Sequence, residues 1–114
     1  MLKNDLVRLR HILDAAREAI EFARGSSRTD LNSDRKLCLS LVRLLEIIGE
    51  AARGVSPVCQ EENPGIPWSR MVGMRDRLIH GYFDVNLDVI WETVTEDLPP
   101  LIVQLENILS SEKG

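Results

Sequence analysis

Apolar side chains recur along this chain at alternating steps of three and four residues, and no stretch alternates strictly between apolar and polar. That period predicts helices and no strands. In the first stretch Leu2, Leu6, Leu9, Leu13, Ala16, Ile20 and Ala23 form one seam. Arg8, Arg10, Arg17, Glu18 and Glu21 fill the other faces, and Gly25-Ser26-Ser27 ends the helix. A second helix is predicted from about Asn32 to Arg53, with a seam of Leu37, Leu41, Leu44, Ile48 and Ala52. Cys38, Leu39, Val42, Leu45 and Ile47 add a second apolar row to it. Two readings of so wide an apolar surface stand: the helix is central in its own bundle, or a second subunit covers part of it.

Residues 54–66 read as a loop, because Gly54, Pro57, Pro64 and Gly65 break regular structure. Pro67 suits the first turn of a third helix over Trp68–His80, which Gly81 would stop. Asn86 is a good N-cap for a fourth, whose seam is Leu87, Ile90, Val94, Leu98, Leu101, Leu105 and Ile108. Pro99-Pro100 should kink that helix without ending it, since the period runs through. The expected architecture is all-α: one domain over residues 1–114, an antiparallel four-helix bundle with its last helix bent.

Composition supports one soluble domain. The chain has 114 residues, 44% hydrophobic and 28% charged, enough for a core and unlike a disordered segment. No apolar run is long enough to cross a membrane. Met1-Leu2-Lys3-Asn4-Asp5 lacks the apolar heart of a signal peptide. Cys38 and Cys59 stand apart from any metal-binding or redox motif, so reduced thiols and a cytoplasmic location are expected. The net charge of −4 argues against general polyanion binding, but it is unevenly spread. Residues 1–83 carry 13 basic and 11 acidic groups, whereas residues 84–114 carry one and seven. Any contact with nucleic acid must be local and come from the earlier part.

Reactive groups are few. Asp84, Asp88, Glu92 and Glu96 fall on successive turns, but no histidine accompanies them as a di-metal bundle requires. They read as a solvated acidic face, and neither metal nor cofactor is expected. His11 lies off the seam of the first helix and reads as a surface residue. Trp68 and Trp91 read as core or interface anchors, too few to be a base-stacking platform.

The remaining candidate is Arg75-Asp76-Arg77-Leu78-Ile79-His80-Gly81-Tyr82. An imidazole can take or give a proton near neutral pH. A guanidinium presents a planar fork to phosphate oxygens and keeps its charge. Together these suit phosphodiester chemistry. Residues five apart differ by about 140° around a helix, so Arg75 and His80 do not stack side by side. Arg77, three positions before His80, is nearer on the helix surface. A purely structural role for these residues also fits the spacing.

Arg75-x-x-x-x-His80-x-Tyr82 resembles the R-x4-H-x-Y pattern of the HepT-like group of HEPN proteins. Leu45-Glu46-Ile47-Ile48-Gly49-Glu50-Ala51-Ala52 is similar to the second-helix signature of that group. Pro67-Trp68, Gly73-Met74-Arg75 and the stretch from Val89-Ile90-Trp91 to Asp97-Leu98-Pro99 extend the likeness over nearly the whole chain. The resemblance implies a HEPN-like helical homodimer that acts as a metal-independent ribonuclease on RNA. It further implies the toxin role in a type VII-like toxin–antitoxin pair, with an MNT-type nucleotidyltransferase as the antitoxin partner. Arg75 and His80 would then be catalytic, with Asp76 and Arg77 supporting them. Tyr82 would be the site at which the partner attaches AMP and silences the toxin. A competing reading is a non-catalytic helical dimer that binds and regulates the nucleotidyltransferase.

Overall fold

The computed structural model describes residues 1–80 and 85–113, and all regular structure among them is helical. The helices are α1 (Lys3–Ala23), α2 (Asp30–Ser33), α3 (Arg35–Gly54), α4 (Pro57–Glu62), α5 (Trp68–His80), α6 (Leu87–Glu92) and α7 (Leu98–Lys113). A π-helical turn, Thr93–Asp97, joins α6 to α7 without a break.

The long helices lie where the apolar period placed them. Arg24 turns extended to end α1, and Gly25, at φ +81°, takes the third position of the turn from Ala23 to Ser26, a left-handed conformation that costs glycine little. α1 packs mainly on α3 and also on α7, and α3 in turn packs on α5. The deepest side chains are Leu9 and Ile12 of α1, Leu41 of α3, Ile90 of α6, Val94 of the π turn and Leu105 of α7. Ala15, Ala16 and Ala19 of α1 are also buried, and their small side chains allow close approach of its neighbours. The buried stripe of α1 is therefore centred on Leu9, Ile12, Ala16 and Ala19. Leu2, placed on the seam by its spacing, is 66% exposed.

Three boundaries differ from the sequence reading. The second long helix starts at Arg35, not Asn32. Asp34 caps it by accepting the Leu37 N–H at 3.0 Å, and Asn32 belongs to the one-turn α2 before it. The predicted loop over 54–66 contains α4. Ser56 caps that helix through the Cys59 N–H at 3.2 Å, and Pro57 occupies its first turn, where a missing N–H costs nothing. Pro57 therefore starts a helix here and does not break one.

The third difference concerns Pro99-Pro100. Both sit in the first turn of α7, and the departure from α geometry lies just before them in the π turn. The prolines have no N–H to offer the carbonyls of Thr95 and Glu96, and the Pro99 ring crowds the carbonyl four residues back. The chain widens instead: the Leu98 N–H reaches the Thr93 carbonyl, five residues away. Thr93 and Thr95 hydroxyls also donate to the carbonyls of Val89 (2.7 Å) and Trp91 (2.8 Å), a habit that bends helices. At the start of α6, Asn86 accepts from the N–H groups of Asp88 (3.0 Å) and Val89 (3.3 Å), as an N-cap should. No helix among the described residues is long and apolar enough to cross a membrane.

Candidate functional site

The candidate residues lie on α5, whose entry is fixed by tryptophan. Trp68 is buried, and its indole N–H donates to the Asn63 carbonyl at 3.0 Å. Trp68, Met71, Met74 and Leu78 form the buried stripe of α5. Arg75 borders that stripe on the side facing α3, next to Gly49.

Arg75 is 21% exposed and splits its guanidinium between two environments. One terminal nitrogen, Nη1, donates to Oδ1 of Asp76 at 3.0 Å. Its Nε is sealed from water with no acceptor, the sole such buried side-chain polar atom among the described residues. A buried donor left unpaired costs about 1–3 kcal/mol, so the arginine is held in a place its own chain does not satisfy.

The other members of the motif are distributed differently. Asp76 is exposed and paired with Arg75. His80 is exposed at the last position of α5, about 140° around the helix from Arg75, and no hydrogen bond joins the two. Arg77 is exposed in the last turn and borders a hollow of about 150 Å³ lined also by Met74, Leu78, Val85, Asn86 and Ile90. Arg70, five residues before Arg75, is tied to Asp97 of the π turn at 2.9 Å. Among the described residues, Arg77 is thus the arginine of α5 that meets no carboxylate. Tyr82 and Gly81 lie outside the described residues. The structure brings Arg75 and Asp76 together and leaves His80 apart from them within one chain.

The acids of the fourth helical stretch are surface groups. Asp88 pairs with Arg28 at 2.5 Å, and Glu92 and Glu96 are exposed; Asp84 lies outside the described residues. No three His, Cys, Asp or Glu side chains among the described residues are grouped so as to hold a metal ion. An apolar cavity of about 310 Å³ lies on the other flank of α5 against the π turn and α7. Leu45, Ile48, Met71, Met74 and Leu101 line it, and the Arg70–Asp97 pair stands at its rim.

Two features escaped the sequence reading. The contact of Gly49 with Arg75 joins residues in different helices. Asp5 is buried and bonded to Ser56, 51 positions away. Neither leaves a local signal, although Gly49 lies within the second-helix stretch that carried the resemblance.

The family model for ribonuclease HepT-like proteins matches residues 12–108, which include α3, α5 and the whole of the fourth helical stretch up to Ile108. The chain belongs to the ribonuclease HepT-like family. A provisionally named RNase of Caldanaerobacter subterraneus subsp. tengcongensis is 43% identical over 105 residues, covering 92% of this chain and 94% of that protein. A provisionally named ribonuclease HepT of Thermococcus cleftensis is 40% identical, covering 88% of this chain and 91% of that one. A provisionally named RNase of Methanocaldococcus jannaschii is 36% identical, covering 83% and 87% respectively. No solved structure matches the chain. For a HepT-like protein the R-x4-H spacing now has a structural setting: a seated arginine on the inner flank of α5 and an exposed imidazole at its end.

Proposed function

We propose that this chain is a metal-independent RNA endonuclease in which Arg75 and His80 act on one phosphodiester. The observation that carries this reading is the seated, unsatisfied guanidinium of Arg75. Its Nε is closed to solvent, and the terminal nitrogens at the part-exposed end of the side chain are the ones that can donate to a phosphate. His80 takes the proton of the RNA 2′-hydroxyl, and the 2′-oxygen attacks the adjacent phosphorus. The P–O5′ bond breaks, and the departing 5′-oxygen receives a proton from an imidazolium. The products are a 2′,3′-cyclic phosphate and a 5′-hydroxyl. Arg75 stabilises the charge that builds on the phosphorane oxygens. The nucleophile belongs to the substrate, so DNA is not cut.

Because Arg75 and His80 diverge on one helix, we assign the working site to a homodimer. Leu39 on α3 and Ile79 on α5 are 53% and 40% exposed, and Val42 and Val72 are only partly covered. Leu39 and Val42 share α3 with Gly49, Val72 and Ile79 lie within about one turn of Arg75 on α5, and a second copy seated across these two helices would cover them. The groups of both copies then share one cleft. Arg77, without a carboxylate partner among the described residues, and Asp76, which fixes one nitrogen of Arg75, support the site.

The resemblance extends the proposal to regulation. The protein acts as the toxin of a toxin–antitoxin pair, with an MNT-type nucleotidyltransferase as antitoxin. The phenolic oxygen of Tyr82 attacks the α-phosphate of ATP, pyrophosphate leaves, and AMP remains on the tyrosine. The added phosphate places negative charge two residues beyond His80, where it repels RNA and competes for the arginines. The alternative, a non-catalytic dimer that regulates the nucleotidyltransferase, draws support from the separation of Arg75 and His80 within the monomer.

The test is RNA cleavage in EDTA by wild type, Arg75→Ala and His80→Ala. Loss of about 10²–10⁴-fold in each variant is expected for general acid–base and electrostatic roles. Equal activity in all three removes both residues from the mechanism. Incubation with the nucleotidyltransferase and ATP should label wild type and not Tyr82→Phe. Stable binding of that partner by a protein without nuclease activity favours the alternative.

A further inference from the structure

We infer that Gly49 is a positioning residue for Arg75: the missing side chain on α3 is the seat that holds the arginine stem and seals its Nε. This deepens the proposal above, resting on Arg75 as the group that stabilises phosphate charge. Gly49 faces Met71 and Arg75 where α3 packs on α5. A Cβ built on Gly49 would stand 2.6 Å from the Met71 carbonyl oxygen and 3.2 Å from Cγ of Arg75, and closer still to its Cβ. None of these atoms is the far end of a flexible side chain. Two belong to the base of the arginine and one to the backbone of α5, so they cannot swing aside without moving the helix.

The consequence falls on one side chain. Carbon atoms need about 3.5–4.0 Å between centres. An alanine at 49 must therefore push Met71 and Arg75 outwards by roughly 1 Å. With glycine, the arginine stem lies flat on the backbone of α3, buried enough that Nε meets neither water nor acceptor. Asp76 then fixes the outer end through Nη1. The stem is held at its base by Gly49 and at its tip by Asp76, which leaves the fork few rotamers. Such preorganisation favours catalysis more than binding, because it matters most where charge develops in the transition state. Gly73 makes the contrast on α5 itself: a Cβ there meets open space.

The experiment measures the seat and its effect separately. The Nε–H signal of Arg75 is followed by ¹H–¹⁵N NMR and identified by its disappearance in Arg75→Lys. In wild type it should exchange with water at least about tenfold more slowly than the signals of surface arginines such as Arg24, as expected for a sealed donor. In Gly49→Ala, with helical circular dichroism retained, that protection should be lost. The kcat for RNA should fall about 10–100-fold, with KM changed less than about twofold, the pattern of a displaced catalytic group. Gly73→Ala should keep the protection.

A fast-exchanging Arg75 Nε–H in wild type overturns the inference without any variant. So does a Gly49→Ala protein that keeps its kcat, or one that loses kcat while Nε–H stays protected. A Gly49→Ala chain that does not fold also overturns it, since the glycine would then serve the fold and not the arginine. If instead Arg75→Ala retains wild-type cleavage, the nuclease reading of Arg75 fails, and the exchange measurement still judges the seat.

Discussion

Asp5 and Ser56 are joined twice: the Ser56 N–H donates to one carboxylate oxygen at 2.8 Å and its hydroxyl to the other at 2.7 Å. The pair ties the first turn of α1 to the cap of α4, and Asp5 is only 3% exposed. The Ser56 hydroxyl is the largest influence on the acid and lowers its pKa. Burial opposes it, while the Ser56 N–H and the charge of Arg8 act with the hydroxyl, and the net direction is downward. A carboxyl whose pKa is lower in the folded state contributes stability above its unfolded value, about 3.9, and loses it as pH falls through the folded value. Asp5→Asn should therefore destabilise the protein at pH 7 by about 1–3 kcal/mol. The gap to wild type should narrow below about pH 4, as urea unfolding at pH 7 and pH 3 will show.

Leu39→Glu and Ile79→Glu place charge on exposed apolar positions of α3 and α5. Each should shift the protein from dimer to monomer in sedimentation at micromolar concentration and lower RNA cleavage in step. A wild type that is monomeric at that concentration refutes the shared cleft.

Arg75→Lys keeps a positive charge and the stem but gives up the fork. Lysine is a point charge and cannot hold two phosphate oxygens in one plane. The expected result is a loss of about tenfold or more in kcat with the fold intact, read against Arg75→Ala in the same assay.

Gly73→Ala fills open space in the interior of α5. It should raise stability by about 0.8–1 kcal/mol, the helix-propensity difference between the two residues, measured as the unfolding midpoint in urea.

The helical period carried most of the architecture. α1, α5 and the run from Leu87 onward lie where their apolar spacing put them, because burial of one stripe is the main force ordering such helices. Local chemistry that has two meanings was less legible. Pro57 breaks a helix from inside and starts one from its first turn, and the choice rested on Ser56 before it. The widening at Thr93–Asp97 follows from Pro99-Pro100, but the same dipeptide could equally kink the chain at the prolines. At the site, the sequence exposed the chemical identity of Arg75 and His80 and the angle between them. It could not reveal that Arg75 rests on Gly49, 26 residues earlier, nor that one of its nitrogens lacks a partner. Those facts belong to the packing of α3 on α5, which spacing within either helix does not encode.

The π turn also determines how the long C-terminal rod comes apart. Rods of this kind ordinarily loosen from their tips, yet here two prolines remove amide donors from the middle. Hydrogen exchange should consequently begin near Thr95 and Glu96 and divide the rod into halves that open independently. The forward half, holding Ile90 and Trp91, can then readjust beside the end of α5 while the rear half, clamped by Leu101 and Leu105, keeps the core closed.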